Sequence, residues 1–411
     1  MPVHRGNEIA RSPRRHCGAL VFSVLVCLAL GLQLVWGDSS TDAPGPSSYT
    51  IRGYDERIQY GIDLIYSLEF KAADRYFEKI IAAEPDNPLG HFFLAMVTWW
   101  RVLVDLDSRE YDEAFYALLE KCVKVCDRRL QQDPEDFDAV LFKAGALGFR
   151  GRLRGDRGQY LRAANDGRKC LPLLKHSRRM EPKNKDILFG QGIYNYFAEV
   201  IPREYPIVRP IMWFLPRGDR EKGLQQLRQV AREGRYAQVE ATYFLAQIHR
   251  MFEKDKRTAL VYLEQLYARY PDNALFHRFT ARALVDLGQW KRGVPLYQEV
   301  VRRSREGRAG YHARGHVEAL YFLGKHAFYQ GRLQDAEEAF ATTDSLGRGL
   351  DEEGDRGYVA LASLLLGMTY DLQGKRGLAV ACYERVAKLG EQGDSHARAR
   401  QYLEEPYRES R

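Results

Sequence analysis

From Tyr54 onward the apolar residues recur at intervals of three and four, and no stretch settles into alternation of period two. That spacing lays an apolar stripe along one side of a helix, so it predicts helix almost throughout, in blocks of roughly 10–18 residues. Clusters such as Glu84-Pro85-Asp86-Asn87 and Pro271-Asp272-Asn273 punctuate the blocks. Pro cannot continue a helix, and Asp or Asn can cap the next one. No heptad persists, which excludes a coiled coil. Before Tyr54 the pattern changes twice. Residues 17–37 form an apolar run, and residues 38–53 are mostly polar with Pro and Gly, which reads as a flexible linker.

The helical blocks repeat. Ala73, Phe77, Ile80 and Pro85 stand at relative positions matched by Ala259, Leu263, Leu266 and Pro271. Gly293, Tyr297 and Val300 open a further copy, with Gly293 lying 34 residues after Ala259. Ala336 with Phe340, and Ala379 with Tyr383, give two more. Small residues mark the preceding helices at Tyr60-Gly61, Leu323-Gly324 and Leu366-Gly367, while Gln330-Gly331 and Gln373-Gly374 supply turns. This set of spacings resembles the tetratricopeptide repeat, a 34-residue helix–turn–helix. The resemblance implies an all-α fold: a right-handed α-solenoid of helix hairpins across 54–390, preceded by the apolar N-terminal segment and closed by a capping helix and tail at 391–411. The physical logic is that one hairpin cannot bury its apolar face alone. Gly or Ala lets the two helices of a repeat approach, and the aromatic residue reaches the following repeat.

A second stretch is similar to tetratricopeptide proteins of the inclusion-body clearance type. It falls within residues 190–245 and carries Gly192-Ile193-Tyr194-Asn195-Tyr196-Phe197, Ile201-Pro202, and Gly218-Asp219-Arg220-Glu221-Lys222-Gly223-Leu224. It contains no chemical motif, and the likeness implies an interaction protein rather than an enzyme.

Charge matters mainly at the N-terminus. Arg5, Arg11, Arg14 and Arg15 fall in the basic segment 1–16, ahead of the apolar run. That order is the layout of a secretory signal, or of an uncleaved anchor long enough to span hydrocarbon. Either way the repeat region is expected outside the cytoplasm, periplasmic, secreted or held at the membrane through residues 17–36. With Glu8, residues 1–37 carry +3 of the formal +7, leaving 7 − 3 = +4 for the rest. So mild an excess argues against nucleic acid as the partner. Cys122, Cys126, Cys170 and Cys382 show no metal-ligand pattern and read as packed thiols. No cofactor motif is present.

Three places remain as candidate sites. The first is the concave face that such arrays build from their first helices. It would carry Phe244, Ile248, Met251, Phe252, Arg278, Arg282, Tyr321, Lys325, Phe328 and Tyr329. Mixed rings and cations suit a peptide with apolar anchors and an acidic group. The second is the Gly/Arg segment 145–158, read as an insert between helices near 148–158. The third is the Pro-rich segment 201–216, within an insert near 201–218, with Ile207, Met212, Trp213 and Phe214 as a candidate docking loop. The expected function is an exported or membrane-tethered scaffold that binds a protein or peptide partner, possibly an acidic one, in the concave groove. The alternative is a cell-envelope enzyme or small-ligand binder using 145–158 or 201–216, although no catalytic motif is found.

Overall fold

The computed structural model describes residues 54–206, 217–347, 350 and 356–408. The signal-or-anchor segment 17–37, the linker 38–53 and the docking residues Ile207, Met212, Trp213 and Phe214 lie outside these. Among the described residues there are seventeen α-helices and no strand. None of these helices is long and apolar enough to cross a membrane.

The chain divides into two compact units, one running to Asp255 and the other starting at Lys256. The first holds α1 (Tyr54–Tyr66), α2 (Phe70–Ala83), α3 (Pro88–Val104), α4 (Asp112–Gln132), α5 (Phe137–Asp156), α6 (Tyr160–Met180), α7 (Ile187–Glu204), α8 (Arg220–Glu233) and α9 (Gln238–Met251). The second holds α10 (Lys256–Arg269), α11 (Ala274–Asp286), α12 (Trp290–Arg305), α13 (Ala313–Tyr329), α14 (Leu333–Gly347), α15 (Arg356–Leu372), α16 (Arg376–Val386) and α17 (Ser395–Glu404). Within each unit every helix packs on the next, and α1, α3 and α5 also touch in series, as do α13, α15 and α17. This is the stacking of an α-solenoid.

Local chemistry sets the boundaries. Asn87 accepts from the Leu89 N–H with Pro88 at the first helical position, and Asn273 accepts from Leu275 and Phe276. Both satisfy N–H groups that a helix start leaves open. Gly331 and Gly374 sit at φ 70° and 74°, just beyond the ends of α13 and α15. Only Gly takes that left-handed turn without strain.

One contact recurs inside the hairpins. A Cβ on Gly61 would lie 2.5 Å from the Phe77 ring, on Gly324 2.7 Å from Phe340, and on Gly367 2.5 Å from Tyr383. Each ring stands sixteen residues after its glycine. The missing side chain is therefore the seat for the ring of the second helix. Rings at this position also reach the following hairpin: Phe77 stacks on Phe93 at 5.5 Å, and Tyr297, whose partner sixteen residues earlier is Ala281 rather than a glycine, stacks on Phe322 at 5.1 Å. Removing a fully buried ring of this kind costs about 3–5 kcal/mol.

The Gly/Arg segment 145–158 is not the insert that its composition suggested. Residues up to Asp156 are the body of α5. Three of its four arginines are taken up by neighbouring carboxylates: Arg150 by Asp166 and Glu120, Arg154 by Asp166, and Arg157 by Asp112. These pairs knit α5 to α4 and α6. In the second reputed insert, Ile201–Glu204 are the last turn of α7.

Candidate functional site

The predicted groove residues fall into two groups, four in the first unit and six in the second. In the first unit, Phe244 and Ile248 are buried on α9, and Met251 and Phe252 are half-buried. Phe244 meets Phe189 at 5.5 Å, and Phe252 meets Phe197 at 5.4 Å. Phe244 and Ile248 are thus core, with little surface left for a partner. The Arg152 guanidinium lies over both Phe244 (4.8 Å) and Trp99 (4.6 Å). None of its three nitrogens has a hydrogen-bond partner among the described residues. Near it, buried Glu240 accepts from Trp100 Nε1 at 3.0 Å and the Tyr66 hydroxyl at 3.5 Å. Burial pushes the Glu240 carboxyl up, while the Arg152 charge and the two donors oppose it.

The second unit places its predicted residues together. Arg278 and Arg282 reach from α11 to Glu318 on α13, at 3.3 and 3.6 Å. Glu318 also accepts from the Tyr297 hydroxyl at 3.2 Å. The Arg282 guanidinium lies 4.7 Å from the Phe322 ring centre and donates to the Tyr358 hydroxyl. Tyr321 is buried against Tyr358 at 5.2 Å. Lys325, one turn further along α13, has its Nζ 6.0 Å from the Tyr321 ring. Among the described residues no carboxylate forms an ion pair with it. Burial pushes its ammonium down, as do Arg282 and Arg398, while Asp286 pulls the other way. Phe328 is buried at the end of the same helix, whereas Tyr329 is 64% exposed.

Arg278 and Arg282 are therefore committed to a carboxylate, and Lys325 is the cation left over. Arg398 from α17 completes the cluster; it lies over Tyr402 and donates to the Met368 sulfur at 3.3 Å. Sequence reasoning missed Glu318, Tyr358 and Arg398. A signal for Glu318 was present. Val239-Glu240-Ala241-Thr242-Tyr243-Phe244 and Val317-Glu318-Ala319-Leu320-Tyr321-Phe322 are two copies of one pattern. In each, the Glu is buried and the Phe carries an arginine on its ring.

The 190–245 stretch is explained by packing. Gly223 and Gly218 bring α8 and the segment before it against the α7 backbone. Asp219 caps the Lys222 N–H, and Arg220 pairs with Glu253, which accepts from the Tyr196 hydroxyl at 2.6 Å. No group of three His, Cys, Asp or Glu side chains among the described residues is placed to hold a metal ion.

The family model described as tetratricopeptide repeat matches residues 254–308 and 280–347. No curated protein matches the chain. Among solved structures, a human IFIT1 dimer with PPP-AAAA is 15% identical, covering 78% of this chain and 69% of that one, with a TM-score of 0.41. The P58(IPK) TPR domain is 14% identical, covering 86% and 89%, with a TM-score of 0.27. At such identities and scores these likenesses say nothing of what this chain binds.

Proposed function

We propose, on the premise that this chain is a tetratricopeptide-repeat protein, that it is a scaffold gripping a partner polypeptide on the α11–α13 face of its second unit. An acidic side chain of the partner would meet Lys325. One observation carries the reading: Lys325 is a half-buried cation beside two arginines, with no carboxylate paired to it, among the rings of Tyr321 and Tyr329. An incoming carboxylate would relieve that excess charge and gain a charge-assisted hydrogen bond. Arg278 and Arg282 have a supporting role, since they hold Glu318 in place.

The test is affinity capture from native extract with the parent chain, Lys325→Glu and Lys325→Met, read by mass spectrometry. Circular dichroism checks that all three fold. Proteins captured by the parent should be lost with Lys325→Glu and weakened with Lys325→Met. An identical capture profile for all three rejects this face as the partner site.

We also infer that residues 17–37 export the protein or anchor it. Four arginines ahead of an apolar run, with a polar linker after it, support this. Intact mass decides whether the segment is removed, and fractionation decides between a free and a membrane-held protein. Recovery of the full-length chain in the cytosolic fraction rejects both. The enzyme alternative loses one of its two supports, because the arginines of 145–158 that would have met a phosphate, other than Arg152, are paired within the helical stack.

A further inference from the structure

The C-terminal tail lies against α13, which also carries the partner face, and against α15. Helix α17 ends at Glu404, and the backbone then turns extended at Glu405 (φ −125°, ψ 128°). Pro406 and Tyr407 follow. The Tyr407 N–H donates to Asp371 Oδ2 at 2.8 Å, and its ring lies 6.1 Å from Phe328 and 5.3 Å from Tyr402. Phe328 shares α13 with Lys325, and Tyr402 is the ring beneath Arg398.

The seat for this tail is shared with the last hairpin. The Asp371 side chain is fully buried and already accepts from the Tyr383 hydroxyl at 2.8 Å and from Arg376 at 3.1 Å. Arg376 also donates to the Leu403 carbonyl at 2.7 Å. A buried carboxylate thus receives one main-chain N–H, and an aromatic platform receives one ring. Repeat grooves hold foreign extended peptides by the same means, with main-chain bonds for affinity and pockets for side chains. The tail's composition fits too. Glu404 and Glu405 precede Tyr407, two acids and a ring, the chemistry proposed above for a partner of Lys325.

We propose that residues 405–408 are an intramolecular occupant of the partner face, displaced when a partner segment with acids beside an aromatic residue binds there. The inference rests on the reading of that face given above. The competing role is a plain end cap, which would stabilise the last hairpin and exclude nothing.

A labelled peptide of residues 403–408 is the probe, titrated against the full chain, a chain ending at Glu405, and full-length Tyr407→Ala. Circular dichroism and melting confirm the fold, and Tyr407→Ala keeps the test open if the truncated chain is unstable. A short tether presents the tail at an effective concentration on the order of 1 mM, so a peptide binding the open face at about 100 µM is held off about tenfold. The expected result is binding to the truncated chain and to Tyr407→Ala, about tenfold weaker binding to the full chain, and competition by unlabelled peptide. Equal binding by all three, or no binding by either opened variant, overturns the proposal, as does a lowered melting point with no gain in peptide binding. Partner capture by Lys325→Glu reports on the earlier reading alone, and peptide exclusion reports on the tail alone.

Discussion

Gly223→Ala should destabilise the protein, although a helix-propensity scale says the reverse. An added Cβ would stand 2.5 Å from the Tyr196 nitrogen, and 2.9 Å from both the Gly192 carbonyl oxygen and the Tyr196 Cα. Ordinary contact begins at 3.4 Å, so the shortfall is 3.4 − 2.5 = 0.9 Å. Every one of these atoms is main chain, so no side chain can swing aside. Helices α7 and α8 would have to part by roughly 1 Å, loosening Tyr196, Leu224 and Leu227 between them. Overpacking costs about 1–3 kcal/mol, and backbone on both sides puts this site at the upper end. Replacing a helical Gly by Ala returns up to about 1 kcal/mol. The balance is a loss of about 2 kcal/mol, combining those two ranges. Gly148→Ala is the control, because it lies exposed within α5 and an added Cβ meets nothing within 4 Å. It should stabilise by up to about 1 kcal/mol. Urea titrations followed by circular dichroism would separate the two by about 3 kcal/mol, the sum of the opposed effects. If Gly223→Ala proves as stable as Gly148→Ala, the close approach of α7 and α8 is wrong.

Asp166→Asn should cost about 3–5 kcal/mol, because it strips Arg150 and Arg154 of a fully buried counter-charge; the unfolding midpoint checks this, and a neutral outcome would mean that both arginines find water. His277 supplies a pH dependence. Burial holds its imidazole down to about 4, so the unfolded chain binds the proton more readily and stability falls as pH drops from about 6.5 to 4. The loss is on the order of 3 kcal/mol across that window, and His277→Phe, which keeps a ring against Tyr267, should flatten the profile there. Tyr383→Ala, which empties the seat at Gly367, should cost about 3–5 kcal/mol in the same titration.

The repeat architecture was legible because it is written locally, in apolar period, turn residues and the spacing between glycine and ring. The cluster in the second unit was partly legible for the same reason: repeat register alone put Arg278, Arg282, Tyr321 and Lys325 on one face. What stayed hidden was which of those cations is spoken for, since that depends on Glu318, which the next hairpin supplies to α11. Phe244 and Ile248 were read as groove residues because an inner helix looks alike in sequence whether the space before it is open or filled. In 145–158, five glycines suggested a loop. Arg150, Arg154 and Arg157 pair with Asp112, Glu120 and Asp166 on the neighbouring helices, so the ion pairs that cross-link this helical stretch had no local trace.

The sixteen-residue step between glycine and ring also binds the two positions in inheritance. A methyl at Gly61, Gly324 or Gly367 would strike the ring of the second helix, whereas a smaller residue at Phe77, Phe340 or Tyr383 would leave a hole above the glycine. A change at either position alone carries a packing cost that a matched change at the other can offset. Descendants of this chain should therefore swap the pair as a unit, and a one-residue insertion in the intervening turn should vanish from the lineage faster than a longer one elsewhere.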